Sequence, residues 1–177
     1  MNGTWSVKIA IIATVLLCSF VSIGQEVHVT PGSGNVTLSV AAQKPYQLIG
    51  TEVKRPVLSV VCAQNGKKVA HIVKFAPGGV LADESLDFSS GQTQHVLAVT
   101  IDGHQQATSW ASFGDPITLA YYGKTEPERM NFIQFLLHAK TVSIDFKPFL
   151  TGMPTTSVFD VSLLGEEYSK HPECMAK

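Results

Sequence analysis

The chain has 177 residues, of which 45% are hydrophobic and 15% are charged, and its formal net charge is −1. A balance this close to neutral gives no electrostatic basis for binding nucleic acid or an anionic membrane surface, so we expect no nucleic-acid partner. The length suits a single domain rather than several.

The N-terminal residues have the pattern of a secretory signal. Lys8 is followed by an apolar run over residues 9–21, and the small residues Ser22 and Gly24 come next. This pattern predicts a signal peptide over residues 1–24, cleaved near Gly24. The apolar run is shorter than the roughly 20 residues that a membrane span needs, although an uncleaved anchor stays open as the alternative. We therefore expect a periplasmic or secreted protein without a transmembrane span after cleavage.

Two of the three cysteines, Cys62 and Cys174, follow the predicted cleavage site. In an oxidising compartment an isolated pair of cysteines is most simply a disulfide. Cys62 lies in an apolar segment and Cys174 lies near the C-terminus. The sequence thus predicts a disulfide that joins the C-terminal tail to a strand.

Alternating apolar and polar residues predict strands through most of the remaining chain. We interpret residues 25–54 as an N-terminal extension with the first strand, and residues 55–177 as the core of the same single domain. The nearly continuous apolar run over residues 57–63 is typical of a strand buried on both faces. Asn65-Gly66 and Asp102-Gly103 have the residue types of tight hairpin turns.

One helix is predicted after Thr125. Thr125 and Glu128 have the spacing of a capping box, and Pro127 falls in the first turn, where a missing N–H is tolerated. An apolar stripe follows on one side of this segment, formed by Met130, Phe132, Ile133, Leu136 and Leu137. The expected fold is therefore mainly β, a compact antiparallel β-sandwich of seven or eight strands with one helix packed across it.

No catalytic or metal-binding motif is found in the sequence. Gly123-Lys124-Thr125 lacks the preceding glycine of a phosphate-binding loop, because Thr118 stands at that position. The six histidines have no metal-ligand spacing, and there is no Gly-x-Ser-x-Gly motif of a serine hydrolase. We expect no cofactor and no catalytic residues of a known type.

Trp110 is the most notable aromatic residue because small polar residues surround it in the sequence. One interpretation places it in the core, where small neighbours make room for the indole. The other makes Trp110 part of an exposed binding face with Tyr121 and Tyr122. The core position is the favoured interpretation, and the binding face stays open.

Several of these features follow one another as in a known family. The segment over residues 55–62, with Pro56, an apolar run and Cys62, resembles a strand of the VasI-like accessory proteins of bacterial type VI secretion. Residues 99–103, the helix, residues 159–162 and Cys174 continue the resemblance in the same order. It implies a β-rich envelope protein associated with secretion, without established catalytic residues.

Three functional hypotheses follow. The first is an exported, non-enzymatic binding or assembly module of the bacterial envelope, which binds a protein or a cell-wall component through a strand face or edge. The second is a hydrolase whose site forms only in the folded chain, from His95 or His104 with Asp102 or Asp115. The third is an immunity or inhibitor-like protein.

Overall fold

The computed structural model describes residues 26–65, 68–82, 85–87, 92–112 and 117–175. The predicted signal peptide, residues 1–24, lies outside the described residues, as do Gly66 of the predicted first turn and Asp115 of the hydrolase hypothesis.

The described residues form twelve strands, two α-helices and one 3-10 turn. The strands are β1 His28–Gly32, β2 Asn35–Ala41, β3 Tyr46–Gln47, β4 Val53–Lys54, β5 Val57–Asn65, β6 Lys68–Ala76, β7 Ser85–Asp87, β8 Gln92–Ile101, β9 His104–Ser112, β10 Leu119–Tyr121, β11 Thr141–Phe146 and β12 Thr155–Asp160. The helices are α1 Glu126–His138 and α2 Leu164–Ser169, and Pro172–Cys174 forms the 3-10 turn.

Ten strands form one antiparallel sheet in the order β1-β2-β5-β6-β10-β9-β8-β11-β12, with β7 paired to β8. The sheet curves so that β12 approaches the end of β2, where the Gln43 amide donates to the Val158 carbonyl of β12 at 2.8 Å. Inner faces of distant strands then pack together. Phe75 of β6 makes edge-to-face contacts with Phe146 of β11 and Phe159 of β12, at centroid distances of 5.3 and 6.3 Å. The prediction of a mainly β, antiparallel, layered fold is confirmed.

The structure has more strands than the seven or eight expected. The additional strands are short or atypical in sequence. Strands β3 and β4 have two residues each, and β1 contains Pro31 and Gly32, whose residue types favour a turn. Strand β1 forms because it pairs along its whole length with β2, through a turn in which Gly34 has a φ of +73°.

Helix α1 begins and packs as the sequence predicts. The Thr125 hydroxyl accepts a hydrogen bond from the Glu128 amide at 3.3 Å, and the Glu128 carboxylate accepts one from the Lys124 amide at 3.0 Å. Phe132, Ile133 and Leu136 are buried on the face towards the sheet. The helix therefore covers an opening of the sandwich.

The predicted disulfide between Cys62 and Cys174 is confirmed, with the sulfur atoms 2.03 Å apart. Both residues are buried, and they join β5 to the 3-10 turn at the C-terminal end. The Tyr168 hydroxyl donates to the Cys174 carbonyl at 2.8 Å, and His71 Nε2 lies 3.0 Å from the same oxygen. The C-terminal tail is thus fixed to the sheet by both covalent and polar contacts.

Candidate functional site

Trp110 lies in the core. Its side chain is fully buried and its ring packs edge-on against Phe75, Tyr121 and Phe132. The indole Nε1 donates to the Thr108 hydroxyl at 2.7 Å. The core interpretation is confirmed, and an exposed binding face that includes Trp110 is wrong, because β9 turns this side chain towards the interior.

Tyr121 is the last residue of β10 and Tyr122 follows it, and the two side chains differ in exposure. Tyr121 is half-buried and stacks on Phe132 with centroids 4.1 Å apart. Burial and the nearby Glu128 carboxylate raise the pKa of Tyr121 above its ordinary value. Tyr122 is 38% exposed. Both line a groove of about 520 Å³ between β6 and the start of α1, which we call the β6 groove.

A larger concave feature lies on the other side of α1, between the helix and β9. We call it the β9 cleft, and its volume is about 660 Å³, within the usual range of ligand sites. Its lining residues come from the end of β8, the β8–β9 turn, the first part of β9, the second half of α1 and the residue after this helix. They are Ile101, Asp102, His104, Gln105, Gln106, Gln134, Phe135, His138 and Ala139.

The cleft exists because β10 is too short to pair with all of β9. Strand β10 pairs with residues 110–112 of β9, and the Tyr122 amide donates to the Ser109 carbonyl at 2.8 Å. Residues 104–108 pair with β8 on one side, while no strand of the described residues pairs with them on the other. We call this segment the β9 edge. Its sequence, His-Gln-Gln-Ala-Thr, contains no lysine, acidic residue or proline, the residues that commonly protect an exposed edge.

Phe135 is the residue of this site that the sequence analysis missed. Its side chain is 60% exposed, although the same helix buries its other aromatic side chain, Phe132. The signal was present in the periodicity, since position 135 falls outside the apolar stripe and beside Gln134 and His138. Together with Ile101 and Ala139, Phe135 gives the β9 cleft its apolar surface.

Asp102 has a structural role at the end of the β9 cleft. Its carboxylate accepts hydrogen bonds from the Thr141 amide at 2.8 Å and the Lys140 amide at 3.0 Å, which fixes the β8–β9 turn to the start of β11. These bonds, led by the one from the Thr141 amide, lower the pKa of Asp102. Asp102 also has a φ of 45°, a conformation that asparagine and aspartate tolerate better than most residues.

Of the described residues of the hydrolase hypothesis, His104 and Asp102 border the same cleft, whereas His95 lies elsewhere. His95 is buried and lines a separate cavity of about 230 Å³, whereas His104 borders the β9 cleft. Asp102 also borders the cleft, but its oxygens accept hydrogen bonds from the chain at the start of β11. The described residues contain no cluster of three or more histidine, cysteine or acidic side chains that could hold a metal.

The Asp102 contacts predict a pH-dependent contribution to stability. Because the folded-state pKa is lowered, the stabilisation is present above the unfolded pKa of about 3.9 and is lost as the pH falls through the folded value. Asp102→Asn keeps the tolerance for positive φ but removes the charge. The variant should therefore be less stable than the wild type at about pH 7, and the difference should shrink towards about pH 3. Urea unfolding at several pH values measures this, and a difference independent of pH would contradict it.

No family model, curated protein or solved structure matches this chain. None of the helices in the described segments combines the length and the apolar character needed to cross a bilayer.

Proposed function

We propose that this chain is an exported, non-enzymatic binding or assembly module that binds an extended segment of a partner protein along the β9 edge. The observation that carries the proposal is the position of this edge beside the β9 cleft. An extended peptide that pairs with an exposed strand gains backbone hydrogen bonds, and a neighbouring pocket then selects its side chains.

The β9 edge is better suited to such a partner than the edges at β1 and β6. Strand β1 has Pro31 at one edge, which removes an N–H, and the part of β6 beside the β6 groove is flanked by Lys68 and Lys74. Residues 104–108 have neither kind of protection. An unprotected edge can pair with a strand of another protein. The β9 cleft beside this edge can contact the side chains of that strand, which favours a specific partner.

The lining of the cleft indicates the chemistry of the bound segment. Phe135 and Ile101 offer apolar surface, while Gln105, Gln106 and Gln134 offer amide groups that both donate and accept hydrogen bonds. An uncharged segment that alternates apolar and polar residues fits this lining, with an apolar side chain against Phe135. A glycan lacks the regular N–H and C=O groups that the edge can pair with, so a polypeptide is the preferred ligand.

Export is supported by the disulfide, because such bonds form and persist in oxidising compartments. The resemblance to VasI-like proteins suggests that the partner belongs to a secretion-associated assembly of the bacterial envelope. The segments that carry the resemblance include β5, α1, β12 and the C-terminal 3-10 turn. An immunity or inhibitor-like protein would use a tight complex with one protein, and such a complex could form on the same edge.

Selection from a random peptide library displayed on phage tests the proposal. The purified disulfide-bonded chain should enrich peptides with an alternating segment of about six residues, the usual length of a strand. Two variants should weaken binding of the enriched peptides by about tenfold or more, because each places a charge where the ligand is desolvated. They are Phe135→Glu on α1 and Gln106→Lys on the edge.

Phe149→Glu is the matched control, since Phe149 is 63% exposed and lies outside the β9 cleft. Its affinity for the selected peptides should equal that of the wild type. Failure to enrich any peptide, or equal losses in Phe135→Glu and Phe149→Glu, would contradict the proposal. Enrichment that depends on Tyr122 but not on Phe135 would place binding in the β6 groove instead.

A further inference from the structure

The β6 groove is a second concave site, on the opposite side of α1 from the β9 cleft. Strand β10 pairs only with Lys74 and Phe75 of β6, so the preceding residues of β6 have no strand of the described chain on that side. The start of α1 lies beside this opening. A groove of about 520 Å³ remains, which is a usual size for the binding site of a small molecule.

The lining of the β6 groove is largely apolar. Val73 of β6 and Ile133 of α1 contribute buried side chains, whereas Ile72 and Tyr122 are 37% and 38% exposed. The ring of Tyr121 adds a half-buried aromatic surface. The groove can therefore remove the apolar body of a ligand from water, which favours binding.

Two cations of the lining have no ion-pair partner among the described residues. They are Lys74 on β6 and Arg129 on α1, and both side chains are partly buried. Arg129 Nη1 donates to the Gly123 carbonyl at 2.9 Å, which fixes the guanidinium at the groove. A Cβ at Gly123 would lie 2.6 Å from Arg129 Cγ, so glycine at this position allows the close approach. The other N–H groups of the guanidinium can donate to an anion.

The other charged residues nearby leave this positive charge in place. The Glu128 carboxylate accepts a backbone hydrogen bond at 3.0 Å at the start of α1. Glu126 borders a neighbouring cavity of about 220 Å³, which Lys68 and Arg129 also line. Neither carboxylate lines the β6 groove or forms an ion pair with either of its two cations. The third basic residue of the lining, His71, already contacts the C-terminal tail through Nε2.

We propose that the β6 groove binds a small organic anion with an apolar body. Its carboxylate would accept charge-assisted hydrogen bonds from Arg129 and Lys74. Its apolar body would lie against Tyr121, Tyr122 and Ile133. A strand of another protein fits this groove less well, because lysines flank this part of the β6 edge and hinder strand pairing.

Fluorescence titration with anilinonaphthalene sulfonate, an organic anion with an apolar ring system, tests the proposal on the full chain with its disulfide intact. The fluorescence should saturate, as expected for a single class of site. Decanoate should displace the probe. Decanol has the same apolar chain without the charge, and about tenfold more of it should be needed for the same displacement.

Two variants locate the anion. Lys74→Gln and Arg129→Gln should each weaken the binding of the probe and of decanoate by about tenfold, because each removes a charge-assisted hydrogen bond. Lys74→Gln is the decisive variant, since Arg129 also binds the Gly123 carbonyl. Lys44→Gln is the matched control, because Lys44 is exposed and lies outside the groove, and the net charge changes by the same amount. It should bind like the wild type.

Binding in the β6 groove does not depend on peptide binding at the β9 edge, so the two proposals can fail separately. Unchanged circular dichroism should show that every variant is folded. Absence of saturable binding, equal displacement by decanol and decanoate, or unchanged affinity in Lys74→Gln would overturn the inference. Binding that Phe135→Ser removes and Lys74→Gln retains would place the anion in the β9 cleft and would also overturn it.

Discussion

Replacing both Cys62 and Cys174 with alanine is expected to lower the free energy of unfolding by about 4–5 kcal/mol. The two cysteines are 112 residues apart, so their bond closes a long loop and removes much of the conformational freedom of the unfolded chain. Both side chains are buried, and alanine adds no polar atom at either position. The loss should therefore come mainly from the missing cross-link.

Urea unfolding with and without reductant measures this effect. Reductant should destabilise the wild type by a similar amount and should leave the double variant unchanged. The native contacts of Tyr168 and His71 with the Cys174 carbonyl can still hold the tail in the folded variant, which keeps the comparison meaningful. Equal stability of the oxidised wild type and the double variant would show that the cross-link does not constrain the chain.

Trp110→Ala is expected to lower the free energy of unfolding by about 3–5 kcal/mol, the range for removing a large aromatic side chain from a core. The indole lies between Phe75, Tyr121 and Phe132, on strands β6 and β10 and helix α1. Its loss would leave a cavity where the sheet meets the helix. It would also remove the hydrogen bond that the Thr108 hydroxyl accepts from the indole Nε1 at 2.7 Å.

Two variants make the measurement specific. Trp110→Phe keeps most of the apolar volume and should cost clearly less than alanine. Tyr122→Ala truncates a more exposed neighbouring ring and should change stability by about 1 kcal/mol or less. A Trp110→Ala chain as stable as the Tyr122→Ala chain would contradict the core role of Trp110.

The parts of the fold with local signals could be predicted from sequence. The cap at Thr125 and the apolar stripe after it identified α1, and alternation identified long strands such as β8, β9 and β11. Cys62 and Cys174 could be paired because only two cysteines follow the predicted cleavage site. In each case the signal lies within one helix or strand, or in the number of cysteines.

The candidate site could not be predicted, because it depends on contacts between distant segments. The β9 edge is open since β10 has only three residues and pairs with residues 110–112 of β9. The sequence offers Asp102 as a catalytic group, but its oxygens accept hydrogen bonds from amides 38 and 39 residues further along the chain. The role proposed for Phe135 depends on the cleft that α1 and β9 form together.

Amide hydrogen exchange, followed by nuclear magnetic resonance, tests peptide binding at the β9 edge most directly. When a library-selected peptide is added, amides within residues 104–108 that do not bond to β8 should become protected, because a new strand would accept their hydrogen bonds. Amides of β1, at the far edge of the sheet, should exchange as before. A peptide that binds without protecting any amide of residues 104–108 would contradict strand addition at this edge.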